Sequence, residues 1–148
     1  MKKNGLTGLL LGLVVLLSGC ASVPMASLED DTQAKRFAVK ADKSNIYLYR
    51  NESFGGAIPM SVSLDGKVAG QTGPQTSVLW EVEPGSHEVA SHSENVSSLK
   101  LNTEPGKAYY VWQEVKMGLW MARSLLQQTD EETGRKGVLE CKRAQSAF

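Results

Sequence analysis

Residues 58 to 72, IPMSVSLDGKVAGQT, carry the clearest signal for the fold class. Its first half alternates apolar with other residues at a period of two, which is typical of a half-buried β-strand; the apolar positions are Ile58, Met60, Val62 and Leu64. Asp65-Gly66 follows at once. An Asp-Gly pair between two such runs is a strong signal for a two-residue hairpin, because both turn positions need a positive φ. The stretch therefore predicts an antiparallel β-hairpin.

Short apolar alternations continue on both sides of this hairpin, separated by turn residues. Residues 78–82 and 99–101 each place apolar side chains on one face, and Pro-Gly pairs mark turns between the runs. Two other segments, IYLY at 46–49 and YYVW at 109–112, are apolar on both faces. Strands spaced by about 8 to 12 residues with such turns are typical of a sandwich or barrel. We therefore expect a mainly β fold, an antiparallel β-sandwich of about seven to eight strands.

One segment near the C-terminus breaks the strand pattern. Thr129 is followed three residues later by Glu132, the spacing of a capping box at a helix N-terminus. Acidic residues in the first turn also suit the helix dipole. The sequence therefore predicts a helix over residues 130–143 with Thr129 as its N-cap.

The side chains of this predicted helix indicate how it packs. Val138 and Cys141 lie three residues apart and form a narrow apolar stripe, whereas Gly134 and Gly137 each weaken a helix by about 1 kcal/mol. We expect the stripe to dock on the sheet and to cover the outward aromatic side chains of the two-faced strands. Cys141 then packs as a small apolar residue; a reactive or intermolecularly paired thiol is the alternative.

The N-terminus carries the marks of a secretory signal. Lys2 and Lys3 precede an apolar run at 6–17, LTGLLLGLVVLL. This run is shorter than the roughly 20 apolar residues that a membrane-spanning helix needs. Its length and its basic head instead match the apolar core of a signal peptide.

Leu17-Ser18-Gly19-Cys20 follows the apolar run and resembles the lipobox of bacterial lipoproteins. The resemblance implies that residues 1–19 are a signal peptide and that the thiol of Cys20 receives a diacylglyceryl group. The chain is then cut between Gly19 and Cys20, and the amino group of Cys20 that the cut releases is usually acylated. A thiol suits this reaction because its thiolate is a strong nucleophile. A buried cysteine at the end of a core helix is the alternative.

The residue after Cys20 bears on which membrane holds the protein. In Gram-negative lipoproteins an aspartate there tends to retain the protein at the inner membrane, whereas this chain has Ala21. The resemblance therefore implies the outer membrane, with the domain facing the periplasm; exposure at the cell surface is the alternative. Residues 21–36 show no strand-like alternation, so we expect a flexible tether over 20–36 and a single domain over 37–148.

The charge balance excludes one class of partner. The chain has 16 Lys and Arg against 16 Asp and Glu, and the loss of Lys2 and Lys3 with the signal peptide would leave it slightly acidic. Such a chain is not built to bind nucleic acid electrostatically. The expected partners are the membrane, through the lipid at Cys20, and an envelope protein or a glycan.

The sequence predicts no catalytic, metal or cofactor site. His87 and His92 are five residues apart, so in one strand they point to opposite faces and cannot share a metal ion without a β-bulge between them. Zinc-ligand spacing, a nucleophile elbow and a phosphate-binding loop are absent from the sequence. We expect a non-enzymatic binding or structural module. A periplasmic enzyme or thiol-active protein that uses His87, His92 or Cys141 is the alternative.

Aromatic residues are the remaining candidates for a binding site. Trp112 and Trp120 are candidates for ligand-facing side chains of a glycan or peptide groove, and core packing is the alternative. Trp120 belongs to GLWMAR, which follows a predicted bend at Met117-Gly118.

Four short motifs in a fixed order add a family resemblance: NIYLYR at 45–50, LDGK at 64–67, VEPGSH at 82–87 and PGKAYYV at 105–111. Together they resemble the bacterial lipoprotein family catalogued as domain of unknown function 2846, a PEGA-like β domain. The resemblance covers most of residues 37–143. It implies an immunoglobulin-like or PEGA-like sandwich and carries over no activity and no site residue.

Overall fold

The computed structural model describes residues 23–54 and 58–148, so the predicted signal peptide and the predicted lipid site at Cys20 lie outside the described residues. Within the described residues the chain forms two helices and nine strands: α1 (Leu28–Ala34), β1 (Ser44–Arg50), β2 (Met60–Leu64), β3 (Lys67–Thr72), β4 (Thr76–Val82), β5 (Gly85–His92), β6 (Val96–Thr103), β7 (Ala108–Lys116), β8 (Arg123–Thr129), α2 (Glu131–Leu139) and β9 (Lys142–Arg143). No helix in these two ranges combines the length and the hydropathy that crossing a membrane requires.

The strands form two sheets packed face to face. One sheet has the order β8-β7-β1-β4-β9 and the other the order β3-β2-β5-β6. Apolar side chains from both sheets share one core, which includes Ile46, Leu48, Val62, Ala69, Val78, Trp80, Val89, Leu101 and Val111. Trp80 is fully buried in it, and its indole N–H donates to the carbonyl of Ala69 at 3.2 Å. The predicted mainly β sandwich is confirmed.

The five-stranded sheet is mixed rather than wholly antiparallel. β1 runs parallel to β7, and β4 runs parallel to the two-residue β9. Arg50 at the end of β1 pairs with Thr76 at the start of β4, and Lys116 at the end of β7 pairs with Arg123 at the start of β8. These four residues therefore mark one end of the sandwich, which we call the apical end.

The predicted hairpin joins β2 and β3. Leu64 pairs with Lys67 across the Asp65-Gly66 turn, and the two turn residues have φ angles of 51° and 80°. Both positive angles are what a two-residue turn of the primed type needs. The Asp-Gly signal is confirmed in position and geometry.

The C-terminal helix is shorter than predicted, and its predicted cap is wrong. α2 begins at Glu131 and its N-cap is Asp130, whose carboxylate accepts hydrogen bonds from the Thr133 N–H and hydroxyl, both at 2.8 Å. Thr129 instead ends β8, and its hydroxyl lies 3.3 Å from that of Tyr49. Because Asp130 accepts the hydrogen bonds of the first helical turn, Thr129 is not needed as the cap and remains part of β8.

The docking of α2 is as predicted, and its glycines explain how close it comes. Val138 and Cys141 are buried in one cluster with the outward tyrosines of β1 and β7. A Cβ on Gly134 would lie 2.6 Å from Cδ1 of Tyr110, and one on Gly137 would lie 2.6 Å from Cδ2 of Tyr49. The glycines lower helix propensity, but they let the backbone lie directly on the aromatic rings.

The expected tether is wrong over residues 23–36, which pack on the domain. Val23 joins the main core, and Ala34 joins the cluster beneath α2. Met25 forms a β-bridge with Ala144. The segment lacks strand alternation because its order comes from isolated anchor points and one short helix. The folded unit thus starts no later than Val23.

Candidate functional site

The loop between β7 and β8, residues 117–121, exposes a run of large apolar side chains. The exposed fraction is 92% for Trp120, 85% for Leu119, 79% for Met117 and 50% for Met121. Single exposed apolar residues are ordinary on a protein surface, whereas a contiguous group of them marks an interaction site. This loop, which we call the apical loop, is the candidate functional site.

A single carboxylate holds the backbone of the apical loop. Glu94, in the turn between β5 and β6, accepts hydrogen bonds from the N–H groups of Leu119 at 3.1 Å and of Trp120 and Met121 at 2.9 Å. These hydrogen bonds hold the pKa of the Glu94 carboxyl at about 2, and Arg123 lies 3.5 Å from the same carboxylate. The loop backbone is thus fixed by protein groups while its side chains remain in solvent, as in a preorganised binding surface.

Gly118 makes this closed loop possible. A Cβ at this position would lie 2.6 Å from Oε2 of Glu94 and 3.0 Å from Cγ of Arg123, and still closer to the carbonyl oxygen of Met121. A side chain there would therefore push the carboxylate away from the amides that it binds.

A buried polar network supports the strands below the loop. The Gln113 amide donates to Ser91 Oγ at 2.6 Å, and Thr72 Oγ1 donates to the amide oxygen of Gln113 at 2.6 Å. Ser91 Oγ lies 2.8 Å from Ser124 Oγ on β8. Gln113 is fully buried, so these hydrogen bonds satisfy an amide that would otherwise be costly to bury. The network links both sheets beneath the apical end.

Trp112, the other predicted aromatic, lies at a separate place. It is half-buried beside α2 and borders a cleft of 260 Å³, and its indole nitrogen is buried without a hydrogen-bond partner. Trp112 is level with Tyr49 within the sheet, whereas Trp120 lies in the loop beyond the end of β7. The two tryptophans therefore do not line one groove.

His87 serves the β2–β3 turn. Its Nδ1 lies 2.7 Å from Oδ2 of Asp65, and its Nε2 lies 2.6 Å from the carbonyl oxygen of Glu83. Burial alone would lower the pKa of His87, but these two hydrogen bonds raise it above its usual value. Both ring nitrogens are thus engaged in holding the turn.

His92 has a partner that the sequence did not suggest. Its Nε2 lies 3.0 Å from Oγ of Ser63 on the neighbouring strand, a hydroxyl–imidazole pair. A nucleophile of this kind also needs a third group that orients the base, and in the described part of the chain no group is hydrogen-bonded to the other ring nitrogen of His92. Glu94, two residues after His92, directs its carboxylate to the apical loop.

The described residues also bear on metal and thiol chemistry. Across residues 23–54 and 58–148, no three His, Cys, Asp or Glu side chains are grouped to hold a metal ion.

Cys141 borders a cavity of 480 Å³, yet it is buried, and burial raises the pKa of its thiol to about 12. The reactive form of cysteine is the thiolate, so this thiol is held in its unreactive form.

Sequence reasoning missed the role of Glu94 and the extent of the apical loop. The usable signal was four large apolar residues within residues 117–121 that follow no strand alternation. The contact between Glu94 and the loop could not be predicted from the sequence, because the carboxylate is 25 to 27 positions away from the amides that it binds.

Comparison with known proteins identifies the family. Residues 40–124 match the model of a family described as protein of unknown function (DUF2846), and this segment includes Glu94 and the apical loop. A Haemophilus influenzae protein, described as an uncharacterized protein, is 34% identical over 131 residues, which cover 87% of this chain and 78% of the relative. No solved structure matches the chain. The chain therefore belongs to the DUF2846 family.

Proposed function

We propose that this protein is a bacterial envelope lipoprotein, anchored by lipid on Cys20 to the outer membrane and facing the periplasm. Its sandwich is a non-enzymatic binding module, and the apical loop is its binding surface. The observation that carries this proposal is the apical loop itself: Glu94 fixes three of its amides while Trp120 and its neighbours stay exposed.

The lipobox-like segment before the described residues supports the anchor. Two or three acyl chains on Cys20 hold a protein on a bilayer far more firmly than one chain does. Two residues, Ala21 and Ser22, lie between Cys20 and Val23, and the three steps from Cys20 to Val23 span at most about 11 Å. Because residues 23–36 pack on the domain, the anchor keeps the folded unit close to the bilayer surface.

The environments of the predicted reactive side chains support a non-enzymatic role. Cys141 is buried with a raised pKa, and His87 uses both ring nitrogens in hydrogen bonds to a turn. His92 contacts Ser63, which lacks the wider arrangement that activates a nucleophile. These side chains do not converge in one cleft, since His87 pairs with Leu101 and His92 with Val96 at distant points of β5.

Two measurements on the full-length protein expressed in a Gram-negative bacterium test the proposal. Mass spectrometry of the N-terminal peptide should show cleavage before Cys20 and a lipid on its thiol, and Cys20→Ser should leave the unprocessed precursor. A photo-crosslinking residue at position 120 should give specific products in the envelope. The same residue at position 68, where Val68 is also exposed on β3, should not. An unmodified Cys20, or equal crosslinking at the two positions, would contradict the proposal.

A further inference from the structure

We propose that the apical loop inserts its apolar side chains into the same bilayer that holds the lipid anchor, so that the domain makes a second membrane contact. This inference rests on the proposed lipid at Cys20. It names the partner of the binding surface: a phospholipid bilayer, entered by Leu119, Trp120 and the flanking methionines.

The described chain begins at the end of the sandwich that carries the loop. A side chain of Val23 lies 3.6 Å from the Cβ position of Gly73, in the turn that leads into β4. Thr76 at the start of β4 pairs with Arg50, and β1 runs parallel to β7, so this turn and the apical loop share the apical end. One strand separates β4 from β7, a distance of about 10 Å. An anchor three residues before Val23 therefore holds the apical end near the bilayer.

The composition of the loop suits a lipid surface. Residues 117–121 carry one tryptophan, one leucine and two methionines, and none of the five is charged. Tryptophan is enriched at the membrane–water interface, where its ring sits at the headgroup level. Lys116, at the end of β7, lies directly behind the apolar tip and pairs with Glu114 at 2.6 Å, while its long side chain stays close enough to the tip to reach the headgroups.

The hydrogen bonds to Glu94 remove the main obstacle to inserting a loop. Backbone N–H groups that enter an apolar phase without a partner cost several kcal/mol each, which is why irregular backbone is rare in lipid. The N–H groups of Leu119, Trp120 and Met121 already have the Glu94 carboxylate as their acceptor. Arg123 lies beside that carboxylate and balances its charge. These three N–H groups can thus leave water without losing their hydrogen bonds.

The size of the surface favours a bilayer over a protein partner. A stable protein–protein interface buries about 800 Å² on each partner, which needs many more residues than this five-residue loop presents. A bilayer needs only an apolar tip held at its surface. Two more exposed apolar residues, Phe54 after β1 and Val96 at the start of β6, flank the same end and extend the membrane-facing rim.

Fluorescence quenching by brominated lipid tests the insertion. The full-length lipidated protein is reconstituted in vesicles of phosphatidylethanolamine and phosphatidylglycerol that contain phosphatidylcholine brominated on its acyl chains. We expect strong quenching of tryptophan emission in the wild type and in Trp112→Phe, and a loss of most of it in Trp120→Phe. Because Trp120 is exposed, Trp120→Phe removes the reporter without disturbing the core.

The outcomes separate this inference from the proposed function. Lipid found on Cys20 together with an unquenched Trp120 would overturn the membrane insertion and leave the anchor standing. An unmodified Cys20 would contradict the anchor and, with it, the basis of the insertion. A photo-crosslink from position 120 to one discrete protein, in place of phospholipid, would also overturn the insertion.

Discussion

Gly134 of α2 lies directly on the ring of Tyr110, so close that a Cβ added to the glycine would lie 2.6 Å from Cδ1 of the tyrosine. Gly137 stands in the same relation to Tyr49 one helical turn later. Tyr47 and Tyr110 stack beside them with ring centroids 5.3 Å apart. The helix therefore covers the outer face of the five-stranded sheet through two backbone contacts that only glycine allows.

Alanine at either glycine should destabilise the fold, although alanine favours helices by about 1 kcal/mol. The added methyl overlaps a buried ring, and such overpacking costs about 1 to 3 kcal/mol. Urea denaturation of Gly134→Ala and Gly137→Ala should show a lower midpoint with an unchanged slope. Glu132→Ala, in the first turn of the same helix and exposed, is the matched control. A higher midpoint for either glycine variant would show that the helix does not sit on the rings.

Two single variants distinguish the observed N-cap of α2, Asp130, from the one predicted from the sequence, Thr129. Asp130→Ala should lower the denaturation midpoint, because its carboxylate accepts the hydrogen bond of the Thr133 N–H. Thr129→Ala should have the smaller effect, since the Thr129 hydroxyl lies near Tyr49 and does not cap the helix. Equal effects, or a larger one for Thr129→Ala, would restore the threonine as the cap.

The Cys141 thiol should be unreactive in the folded protein. Burial raises its pKa to about 12 from 9.0, so at pH 9 the folded state holds it protonated while an unfolded chain is half ionised. Below pH 9 the thiol is mostly protonated in both the folded and the unfolded state, so its titration hardly changes the free energy of unfolding. That free energy falls as the pH rises from 9 towards 12, because only the unfolded chain ionises there. Labelling by a thiol reagent at pH 8 should be slow, and denaturant should speed it by orders of magnitude. Rapid native labelling would revive a thiol-active role.

The order of the apical loop should depend on pH through Glu94. Its carboxyl has a pKa of about 2 in the fold, against an ordinary value of 4.5 for a glutamate. The stabilisation is therefore present above pH 4.5 and is lost as the pH falls from there towards 2. The protection factors of the Leu119, Trp120 and Met121 amides, which compare their exchange with that of an unstructured peptide at the same pH, should fall over this range.

A variant checks the assignment of this effect to Glu94. Glu94→Gln should raise the exchange rates of the same three amides at neutral pH, because an amide oxygen is a weaker acceptor than a carboxylate. Glu88→Gln, on β5 and exposed, should leave them unchanged. Unaltered protection in Glu94→Gln would mean that the carboxylate does not hold the loop.

Local patterns in the sequence were enough to predict part of the fold. The Asp65-Gly66 turn follows from the φ angles that two residues need, and the docking of Val138 follows from a helical stripe beside exposed aromatics. β8 was harder to predict because Leu125 and Leu126 are adjacent, which hides the alternation; in the fold Leu125 is exposed and Leu126 buried. β9 has two residues and exists only through its pairing with β4.

The candidate site depended on contacts that no local pattern contains. Trp120 could be singled out as an aromatic after a bend, but its exposure follows from the way that Glu94 closes the loop. The packing of residues 23–36 was likewise hidden, because Asp31 reaches the backbone N–H of Arg143 across most of the chain, at 2.8 Å. Such long-range hydrogen bonds are decided by the assembled fold.

We infer that the apical end faces and enters the membrane, and the accessibility of spin labels on the protein tests this inference. Leu119→Cys and Val68→Cys, both exposed positions, are labelled with a nitroxide in the full-length lipidated protein on vesicles; buried Cys141 stays unlabelled. We expect the label at 119 to be more accessible to oxygen than to a water-soluble nickel complex, and the label at 68 to show the reverse. A label at 119 that is as accessible to the nickel complex as the label at 68 would contradict this inference.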